Sequence, residues 1–516
     1  MKIYKICGGL LLILLMGFVY KVDAQTRVIN VVSGFGTLND AIDGDTTATG
    51  ERNDPENTVY VLERDGFYLL NGSIENSGWP LRIEAAEGSG ARPVLQPGVV
   101  TGGESARPFR PRGDFYIKGL YVTNQDELGL ILLRTIRVSA DSVKVVVDDC
   151  HIDYSSQSAF RIDNDFNKIY ITNSIISNIG RMTSPNNGRG IDDRGNPIDT
   201  LVMENNTFYN ITSRILRDGG GIINYAKINH NTLVNVGQMG CSIGEAIEVT
   251  FTNNLFINTS FFGRAPESTW SSFEVSPLIE EGINQVVNFS NNNFYTHPDL
   301  IAAQPDSVNA APIINEMTDT LFMDLGISFT NLNEAIEFTT GPTLPTNIVT
   351  DNWDVTNEDT TDMDNGGAGP VPQQGVPVQL AFDFAYPMSA ASYTASTAGQ
   401  PLGALTWFGI DIISSVEQIS SEVPKGFKLT ANYPNPFNPS TTFEYALPNE
   451  ADVALTIYNS VGQEIATVIS KVQPAGVYQA RWDGVNNFGA TVSSGIYFYQ
   501  LRAGNFTATK KMMLLK

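Results

Sequence analysis

A short unit recurs along the middle of the 516-residue chain, at intervals that restrict the possible folds. Each copy begins with Asn, Asp or His and has an apolar side chain three residues later. The copies read DCHIDY from Asp149, NSIISN from Asn173, NNTFYN from Asn205, HNTLVN from His230, NNLFIN from Asn253 and NNNFYT from Asn291, with a weaker copy, GLYVTN, from Gly119. Five of the six intervals between successive copies lie between 23 and 32 residues. A basal period near 24 residues with insertions predicts a parallel β-solenoid, because loops lengthen without disturbing the stacking of coils.

The segment before each copy alternates strictly between apolar and other residues, which places its apolar side chains on one face of a strand. These apolar pairs are Val145 and Val147, Ile169 and Ile171, Leu201 and Met203, Val249 and Phe251, and Val287 and Phe289. We therefore expect them to stack inward between coils. An antiparallel sandwich is the competing interpretation, but it would show hairpin turns such as Asn-Gly at regular spacing instead of a coil-length repeat.

Composition agrees with a turn-rich β protein. The chain has 46 Gly and 26 Pro, and 17% of its residues are charged, which argues against a helical, disordered or coiled-coil protein. Its formal net charge of −23 argues against bulk nucleic-acid binding. Three cysteines and three histidines are too few for a disulfide scaffold or a Cys/His zinc module.

Taken together, Val28 to His297 resembles the right-handed parallel β-helix of the pectate-lyase superfamily. GTLNDAI from Gly36 would be the helix that covers the first coil. In the style of its repeat, the region is distantly similar to the group that contains chondroitinase B and alginate lyases. The resemblance implies a β-helix domain over residues 25–297, on a fold that carries lyases, hydrolases, esterases and purely adhesive proteins.

The N-terminus predicts a secretory signal over residues 1–24. Lys2 and Lys5 precede an apolar run, and Ala24 ends a segment of small residues suited to cleavage. A retained membrane anchor is the alternative, but the run is short for a bilayer span. We expect no membrane span in the mature chain and a location outside the cell or on its surface, reached through the periplasm. Cys150 and Cys241 would remain, and nothing in the sequence decides whether they pair.

The C-terminus predicts a separate module over residues 422–516. LTANYPNPFNPSTTFEYALP from Leu429 and SGIYFYQL from Ser494 place alternating strands between Gly, Pro and Asn turns, which indicates a small immunoglobulin-like sandwich. These motifs resemble the type IX secretion C-terminal sorting domain. That resemblance implies the type IX secretion machinery as a partner, and a plain accessory sandwich is the alternative.

Residues 298–421 would form an extension and cap of the β-helix, followed by a linker. The linker is acidic and then rich in Gly and Pro from Asp351 onward. The stretch from Tyr393 is more apolar, and we expect it to pack on the C-terminal end of the solenoid.

Candidate functional residues come from the outward positions of the strands. Coils stack about 4.8 Å apart, so outward side chains one coil apart can meet. Lys227 has Glu204 on the coil before it and Glu248 on the coil after it. Tyr225 is another outward residue on the same segment as Lys227. These residues predict a face with a basic group between two carboxylates that would bind calcium.

Arginines cluster in the same coils. They are Arg161, Arg181, Arg189, Arg194, Arg214 and Arg217. A guanidinium fork binds a carboxylate bidentately, and a uronate sugar presents a carboxylate. Asp192 and Asp193 are adjacent acids of the kind that β-helix glycosidases use, but their Arg-, Gly- and Asn-rich surroundings predict an insertion rather than a strand.

Two hypotheses follow for a secreted protein that acts on polysaccharide. In the first, the chain is a calcium-assisted lyase on uronate glycans. Lys227 would be the base and Arg217 the carboxylate clamp, Arg161, Arg214 and Tyr225 would bind the polymer, and Glu204 and Glu248 would hold the metal. In the second, the same residues belong to a glycan-binding or adhesive protein without catalysis. Alternating charges that only keep an exposed sheet soluble are a third interpretation of the same pattern.

Overall fold

The computed structural model describes residues 26–515, with gaps at 100–106, 181–184, 264–269, 280–282, 305–309, 330, 347–348, 350–371, 375, 377, 379–381, 398, 411–415, 421–423, 425, 439–440, 450, 474–475, 483, 485, 487–491 and 505. The predicted signal segment and the acidic linker from Asp351 lie outside the described residues.

The N-terminal two thirds of the described chain are built almost entirely of short strands. The strands are β1 (Arg27–Val31), β2 (Gly34–Phe35), β3 (Thr58–Leu62), β4 (Phe67–Leu70), β5 (Ile74–Ser77), β6 (Leu81–Ala85), β7 (Val94–Pro97), β8 (Phe109–Arg112), β9 (Phe115–Lys118), β10 (Tyr121–Thr123), β11 (Arg134–Val138), β12 (Lys144–Asp148), β13 (His151–Ser155), β14 (Ser158–Ile162), β15 (Asn167–Thr172), β16 (Ile175–Ile179), β17 (Arg189–Asp192), β18 (Ile198–Glu204), β19 (Thr207–Ile211), β20 (Arg214–Arg217), β21 (Ile223–Asn229), β22 (Thr232–Val236), β23 (Cys241–Thr252), β24 (Leu255–Thr259), β25 (Phe273–Ser276), β26 (Val286–Ser290) and β27 (Asn293–Tyr295).

Each coil contributes one strand to each of three parallel sheets. Sheet 1 contains β1, β3, β6, β9, β12, β15, β18, β21, the second half of β23, and β26; sheet 2 contains β2, β4, β7, β10, β13, β16, β19, β22, β24 and β27; sheet 3 contains β5, β8, β11, β14, β17, β20, the first half of β23, and β25. All pairings within these sheets are parallel, which confirms the predicted all-β solenoid and excludes the antiparallel sandwich for this part of the chain.

The predicted inward residues occupy the interior. In sheet 1 the register pairs Val145 with Ile169 and Ile169 with Leu201, and all three side chains are fully buried. Toward the C-terminal end the interior becomes aromatic, and the rings of Phe251 and Phe289 stack with their centroids 5.3 Å apart. Because the same column is apolar on every coil, the interior is a continuous core along the axis.

The turns after the sheet 1 strands have the left-handed backbone that the Asn-rich repeat predicts. The φ angles are positive at Asp149, Asn173, Asn205, His230, Asn253 and Asn291. A second left-handed column, which the sequence analysis missed, occupies the penultimate position of the sheet 2 strands, at Tyr154, Asn178, Asn210, Asn235 and Asn258. Asn and Asp tolerate this conformation better than other residues with a side chain, which explains the asparagine content of both columns.

A ladder of buried amides lies one residue beyond the first left-handed column. Asn206 donates to the Oδ1 of Asn231, Asn231 to that of Asn254, and Asn254 to that of Asn292, over 3.0–3.1 Å. Each of these side chains also donates to a main-chain carbonyl, as Asn231 does to Met203. All four residues are fully buried. Each amide therefore bonds the coil before its own, and the first three also bond the coil after it.

Helices cover both ends of the solenoid. Helix α1 (Thr37–Asp43) places Leu38 and Ile42 against the first coil, as predicted. Helix α2 (Pro298–Ala302) is followed by α3 (Glu316–Asp324), whose Leu321 and Phe322 join the core at the other end. Single parallel bridges, Phe273 to Ile314 and Asn293 to Leu332, extend the coil register past the predicted boundary at residue 297.

The apolar stretch predicted to cap the end of the solenoid lies instead along its side. We call residues 399–410 the strap. Its main-chain nitrogens donate to Asn205 and Thr232, and Trp407 donates to Thr207. Upstream of it, Phe384 packs on the outer face of sheet 2. The strap binds to turn amides, and the segment upstream of it packs on the outward apolar residues of sheet 2. Sheet 2 is therefore covered on both faces over these coils.

The C-terminal module is an antiparallel sandwich that begins at Val416, before the predicted boundary at 422. Its strands are β28 (Val416–Ser420), β29 (Lys428–Leu429), β30 (Thr441–Leu447), β31 (Ala451–Asn459), β32 (Glu464–Gln473), β33 (Gly476–Trp482), β34 (Gly495–Ala503) and β35 (Phe506–Leu514). They form two four-stranded sheets, ordered β28-β33-β30-β29 and β32-β31-β34-β35. Trp482, Tyr445 and Tyr499 are buried between them in a cluster separate from the β-helix core.

Cys150 and Cys241 do not pair. Both thiols are free and fully buried, and burial raises the pKa of the Cys150 thiol to about 12.

We expect the amide ladder to dominate the stability of the central coils. Asn231→Ala removes bonds to two coils and leaves buried partners unsatisfied, which should lower the free energy of unfolding by about 2–5 kcal/mol. Asn288→Ala, on the exposed face of β26, is the matched control and should change it by less than about 0.5 kcal/mol. Urea denaturation of both variants measures the difference, and equal effects would show that the ladder is dispensable.

Candidate functional site

The structure separates the seven candidate residues into two groups. Glu204 (β18), Tyr225 and Lys227 (β21) and Glu248 (β23) lie on sheet 1, and Arg161 (β14), Arg214 and Arg217 (β20) lie on sheet 3. Arg217 and Lys227 belong to consecutive strands of one coil, joined by the turn at residues 218–222, and therefore project from different sheets. The proposed base and clamp are not brought together.

Lys227 forms an ion pair with one of its two expected carboxylates. Its Nζ lies 2.6 Å from Oε1 of Glu204, which is almost fully buried and also accepts a 2.7 Å hydrogen bond from Asn229. The register places Glu204 opposite Asn229 and Lys227 opposite Val202, so the ion pair is diagonal. An ammonium group held in this way has no lone pair with which to take up a proton. Lys227 thus has the geometry of a structural cation.

Glu248 lies apart from Glu204 and does not complete a metal site with it. Glu248 is exposed and opposite Tyr225, two coils or about 9.6 Å from the strand of Glu204. Calcium ligands lie about 2.3–2.6 Å from the ion, and the Glu204 carboxylate is already held by Lys227 and Asn229. In the described residues no three His, Cys, Asp or Glu side chains are grouped to hold a metal. These residues do not fit calcium.

Tyr225 is half-buried between the two acids. Burial, followed by the negative charges of Glu248 and Glu204, raises the pKa of its hydroxyl to about 12. The phenol is therefore neutral at physiological pH.

The outer face of sheet 1 pairs most of its own charges. Lys118 lies 3.5 Å from Asp148, and Lys168 lies 3.6 Å from Asp199. The ammonium of Lys144 lies 5.3 Å from the ring centre of Tyr170 and 5.6 Å from that of Tyr116. Little uncompensated charge remains for a ligand here, which agrees with the interpretation that these alternating charges keep the sheet soluble.

Sheet 3 presents a different surface, on which arginines occupy two outward columns of four successive coils. We call Arg134, Arg137, Arg161, Arg189, Arg214 and Arg217 the arginine face. One column runs Arg134, Ser158, Arg189, Arg214, and the other runs Arg137, Arg161, Asp192, Arg217. The three arginines predicted from the sequence are thus brought together.

Two carboxylates, the buried Asp192 and the half-buried Asp163, hold four of these arginines. Asp192 accepts from Arg189 over 2.8 Å and from Arg217 over 2.9 Å, and its side chain is only 4% exposed. Asp163 accepts from Arg137 and Arg161, each over 2.5 Å. Burial by itself raises the pKa of Asp163, but the hydrogen bonds from the two arginines outweigh it and lower the pKa.

Arg134 and Arg214 have no carboxylate partner among the described residues. Arg134 donates to the side chain of Gln157, and Arg214 donates to the hydroxyl of Ser213. Burial, followed by the charges of neighbouring arginines, lowers the pKa of both guanidinium groups to about 10. Both groups remain charged at neutral pH. Two uncompensated cations therefore lie at the ends of one column, about 14 Å apart along the axis.

Two members of the face were missed from the sequence. Arg134 and Arg137 lie on β11, whose register with β14 pairs Arg134 with Ser158 and Arg137 with Arg161. Arg194 is exposed at a left-handed turn, and Arg181 lies outside the described residues. Because Arg134 and Arg137 are three residues apart, strict alternation would not have placed both outward, and the register of β11 was needed to find them.

The segment around Asp192 and Asp193 is a strand, not the insertion that was predicted. Asp192 ends β17 and points into the arginine face, whereas Asp193 is 1% exposed. Burial, followed by the charges of Asp218 and Asp192, raises the pKa of Asp193 to about 7. Asp218 and Glu274 also have raised pKa values, with burial as the largest cause. Acids with raised pKa values thus border the arginine face.

Comparisons with known proteins bear on the C-terminal module. The model of the FlgD Ig-like domain family matches residues 438–505, which lie within the sandwich. This match confirms the predicted immunoglobulin-like class for that part of the chain. No curated protein matches the sequence.

Two solved structures show weak similarity. One is dimeric latent PorU from Porphyromonas gingivalis, at 18% identity over 18% of this chain and 10% of that one, with a TM-score of 0.16. The other is PorZ, a surface component of the type IX secretion system of the same organism, at 16% identity over 19% of this chain and 12% of that one, with a TM-score of 0.14. This chain spans only about a tenth of their length.

Within the described residues, no helix has both the length and the apolar character needed to cross a membrane.

We expect the Asp192 pairs to be strongly coupled to stability. Asp192→Asn removes a buried charge shared by Arg189 and Arg217, and we expect the free energy of unfolding to fall by about 3 kcal/mol. Asp199→Asn breaks the more exposed pair with Lys168, whose side chains are 35% and 50% exposed, and should cost less than about 1 kcal/mol. Chemical denaturation of both variants at neutral pH measures the two losses of unfolding free energy. A larger loss in Asp199→Asn than in Asp192→Asn would contradict the prediction.

Proposed function

We propose that this chain is an exported β-helix protein that binds a uronate-containing polysaccharide along the arginine face. The observation that supports this most is the pair of partly buried arginines, Arg134 and Arg214, that have no carboxylate partner among the described residues. Both are held in place by packing, so a ligand carboxylate would gain a charge-assisted bond at a small loss of side-chain entropy.

The shape of the face suits a polymer. Outward positions repeat every coil, about 4.8 Å apart, on a surface that runs along the solenoid axis. A polyuronate also repeats its carboxylates along its length, and the guanidinium fork binds a carboxylate in two parallel hydrogen bonds. The acids Asp163 and Asp192 fix four of the arginines and reduce the net charge of the face. A densely charged polyanion such as nucleic acid would meet these acids, which together with the −23 net charge disfavours it.

Binding without cleavage is the activity that this arrangement favours. β-Elimination needs a base beside the sugar C–H and a group that neutralises the carboxylate of the same sugar. Lys227 is ion-paired on sheet 1, and Arg217 is ion-paired on sheet 3. We therefore propose the glycan-binding alternative over the lyase and assign no step to calcium.

The proposal also includes the route of export. The N-terminal segment has the features of a secretory signal, and the C-terminal motifs resemble a type IX sorting domain. The sandwich and the β-helix have separate hydrophobic cores, as expected for an address module that is joined to a functional domain. We propose a cell-surface or extracellular location, with the type IX machinery as the export partner.

We expect binding of polygalacturonate and alginate that weakens as salt rises, because screening reduces the attraction between charges. Arg214→Gln should weaken it about tenfold, the value of one charge-assisted contact. Arg82→Gln, on sheet 1 over Tyr116, is the matched control and should bind like the unaltered chain. Isothermal titration with each polymer and with neutral dextran provides the measurement. Equal losses in both variants would remove the arginine face from the proposal.

The same samples test for cleavage. Incubation of each polymer with calcium or with a chelator should produce no ultraviolet absorbance from an unsaturated sugar. Absorbance that grows with time and disappears in Lys227→Ala would establish the lyase and overturn the binding-only proposal.

Export is tested by truncation. In a bacterium with a type IX system, the full chain should reach the surface or the medium, and a chain that ends before Val416 should accumulate in the periplasm. Immunoblotting of cell fractions provides the measurement, with a periplasmic marker as control. Surface delivery of the truncated chain would make the sandwich a plain accessory domain.

A further inference from the structure

A cluster of three acids borders the arginine face at its C-terminal end. We call Asp193, Asp218 and Glu274 the acid rim. Asp192 pairs with Arg217 in the parallel register, so the residues that follow them, Asp193 and Asp218, are on adjacent coils about 4.8 Å apart. Glu274 lies on β25, opposite Ser242 of β23, and β23 follows the β20 strand that precedes Asp218. The rim thus spans four coils, with acids on the first, second and fourth.

The rim is held by packing. Asp193 is 1% exposed; its Oδ1 accepts from the main chain of Gly195, and its Oδ2 has no hydrogen-bond partner among the described residues. Asp218 accepts from the main chain of Gly220 over 2.6 Å, and its carboxyl group lies directly over Gly244, where a Cβ would collide with it. Carboxyl groups confined in this way resist ionisation next to one another.

Protonation of the rim changes the field at Arg214. Asp218 and Glu274 each interact electrostatically with Arg214, the partly buried arginine that has no carboxylate partner in the described chain. When they are ionised they compensate part of its charge, and when they are neutral they leave the charge available to an anion. The other charged groups that interact with the rim and Arg214 are Arg189, Arg217, Asp192 and Glu245.

We propose that the acid rim makes polyanion binding on the arginine face dependent on protons, tight in mildly acidic solution and weaker in alkaline solution. This inference rests on the proposed function and adds its regulation. A bound polyanion favours the neutral form of the rim, so binding takes up protons. By linkage, affinity falls as pH rises through the range in which the rim ionises.

Few ionisable groups in the described chain can cause a change in affinity near neutral pH. The pKa of Asp193 is about 7, while uronate carboxylates stay ionised far below that value. Two of the three histidines are buried, which lowers the pKa of His151 to about 3 and that of His230 to about 4. The third, His297, precedes α2 and lies off sheet 3. Asp153, with a pKa raised by burial to about 6, lies on sheet 2. A change in affinity between about pH 6 and pH 8 therefore points to the rim.

The experiment is titration of the full chain with polygalacturonate at about pH 6 and about pH 8 and constant ionic strength. We expect affinity to be about fivefold or more higher at the lower pH, the usual size of coupling between two sites. Repeating the titration in buffers with different ionisation heats should show proton uptake on binding. Equal affinity at both pH values, or no proton uptake, would overturn the inference.

Substitutions in the rim test whether its acids cause the pH dependence. Asp218→Asn with Glu274→Gln should bind at both pH values about as tightly as the unaltered chain does at the lower one. Glu84→Gln, an outward acid on β6 of sheet 1, should keep the pH dependence. Glu274→Gln alone should reduce the pH dependence in part. This single variant replaces the double variant in the test if circular dichroism shows that the double variant does not fold. If the double variant and a separate Asp193→Asn variant both kept the pH dependence, the role of the rim would be refuted. Absence of binding at either pH would instead refute the proposed function.

Discussion

Hydrogen bonding between buried amides fixes how one coil of this protein sits on the next. Asn206, Asn231 and Asn254 each donate to the coil before and the coil after their own, and Asn292 ends the series with a bond to the coil before it. They lie in a core where an unpaired amide would be strongly destabilising. A slip by one residue would turn every inward side chain outward. The ladder therefore sets the register of all three sheets, and with it the columns in which outward residues meet.

The two open sheets use that register in opposite ways. On sheet 1, Lys118, Lys168 and Lys227 each lie next to a carboxylate on a neighbouring coil, so the face is close to electrically balanced. On sheet 3, two carboxylates pair with four arginines, and Arg134 and Arg214 are left without a carboxylate partner in the described chain. This local excess of positive charge lies on a chain of net negative charge. An anionic ligand is therefore attracted more strongly to this face than to the rest of the surface.

Sheet 2 is removed from the surface by the chain itself. The strap bonds to the turn amides through its main chain, and Phe384 packs on outward residues such as Tyr209. A sheet with apolar residues on both faces must be covered on both. This explains why the outward positions of sheet 2 carry Ile175, Val234 and Leu255 rather than charges, and it leaves sheets 1 and 3 as the faces open to ligands.

The repeat of turn asparagines and alternating strands determined the solenoid, its inward columns and the N-terminal helix, because these depend on local backbone preference and on burial that recurs with the coil. The sequence also predicted Arg161, Arg214 and Arg217 as candidate binding residues. It did not determine that Lys227 and Arg217 project from different sheets, that Glu204 is held by Lys227, or that the strap lies along the side. Those features depend on where the corners of each coil fall and on contacts between residues up to 200 positions apart. No local pattern encodes them, so only the tertiary structure decided them.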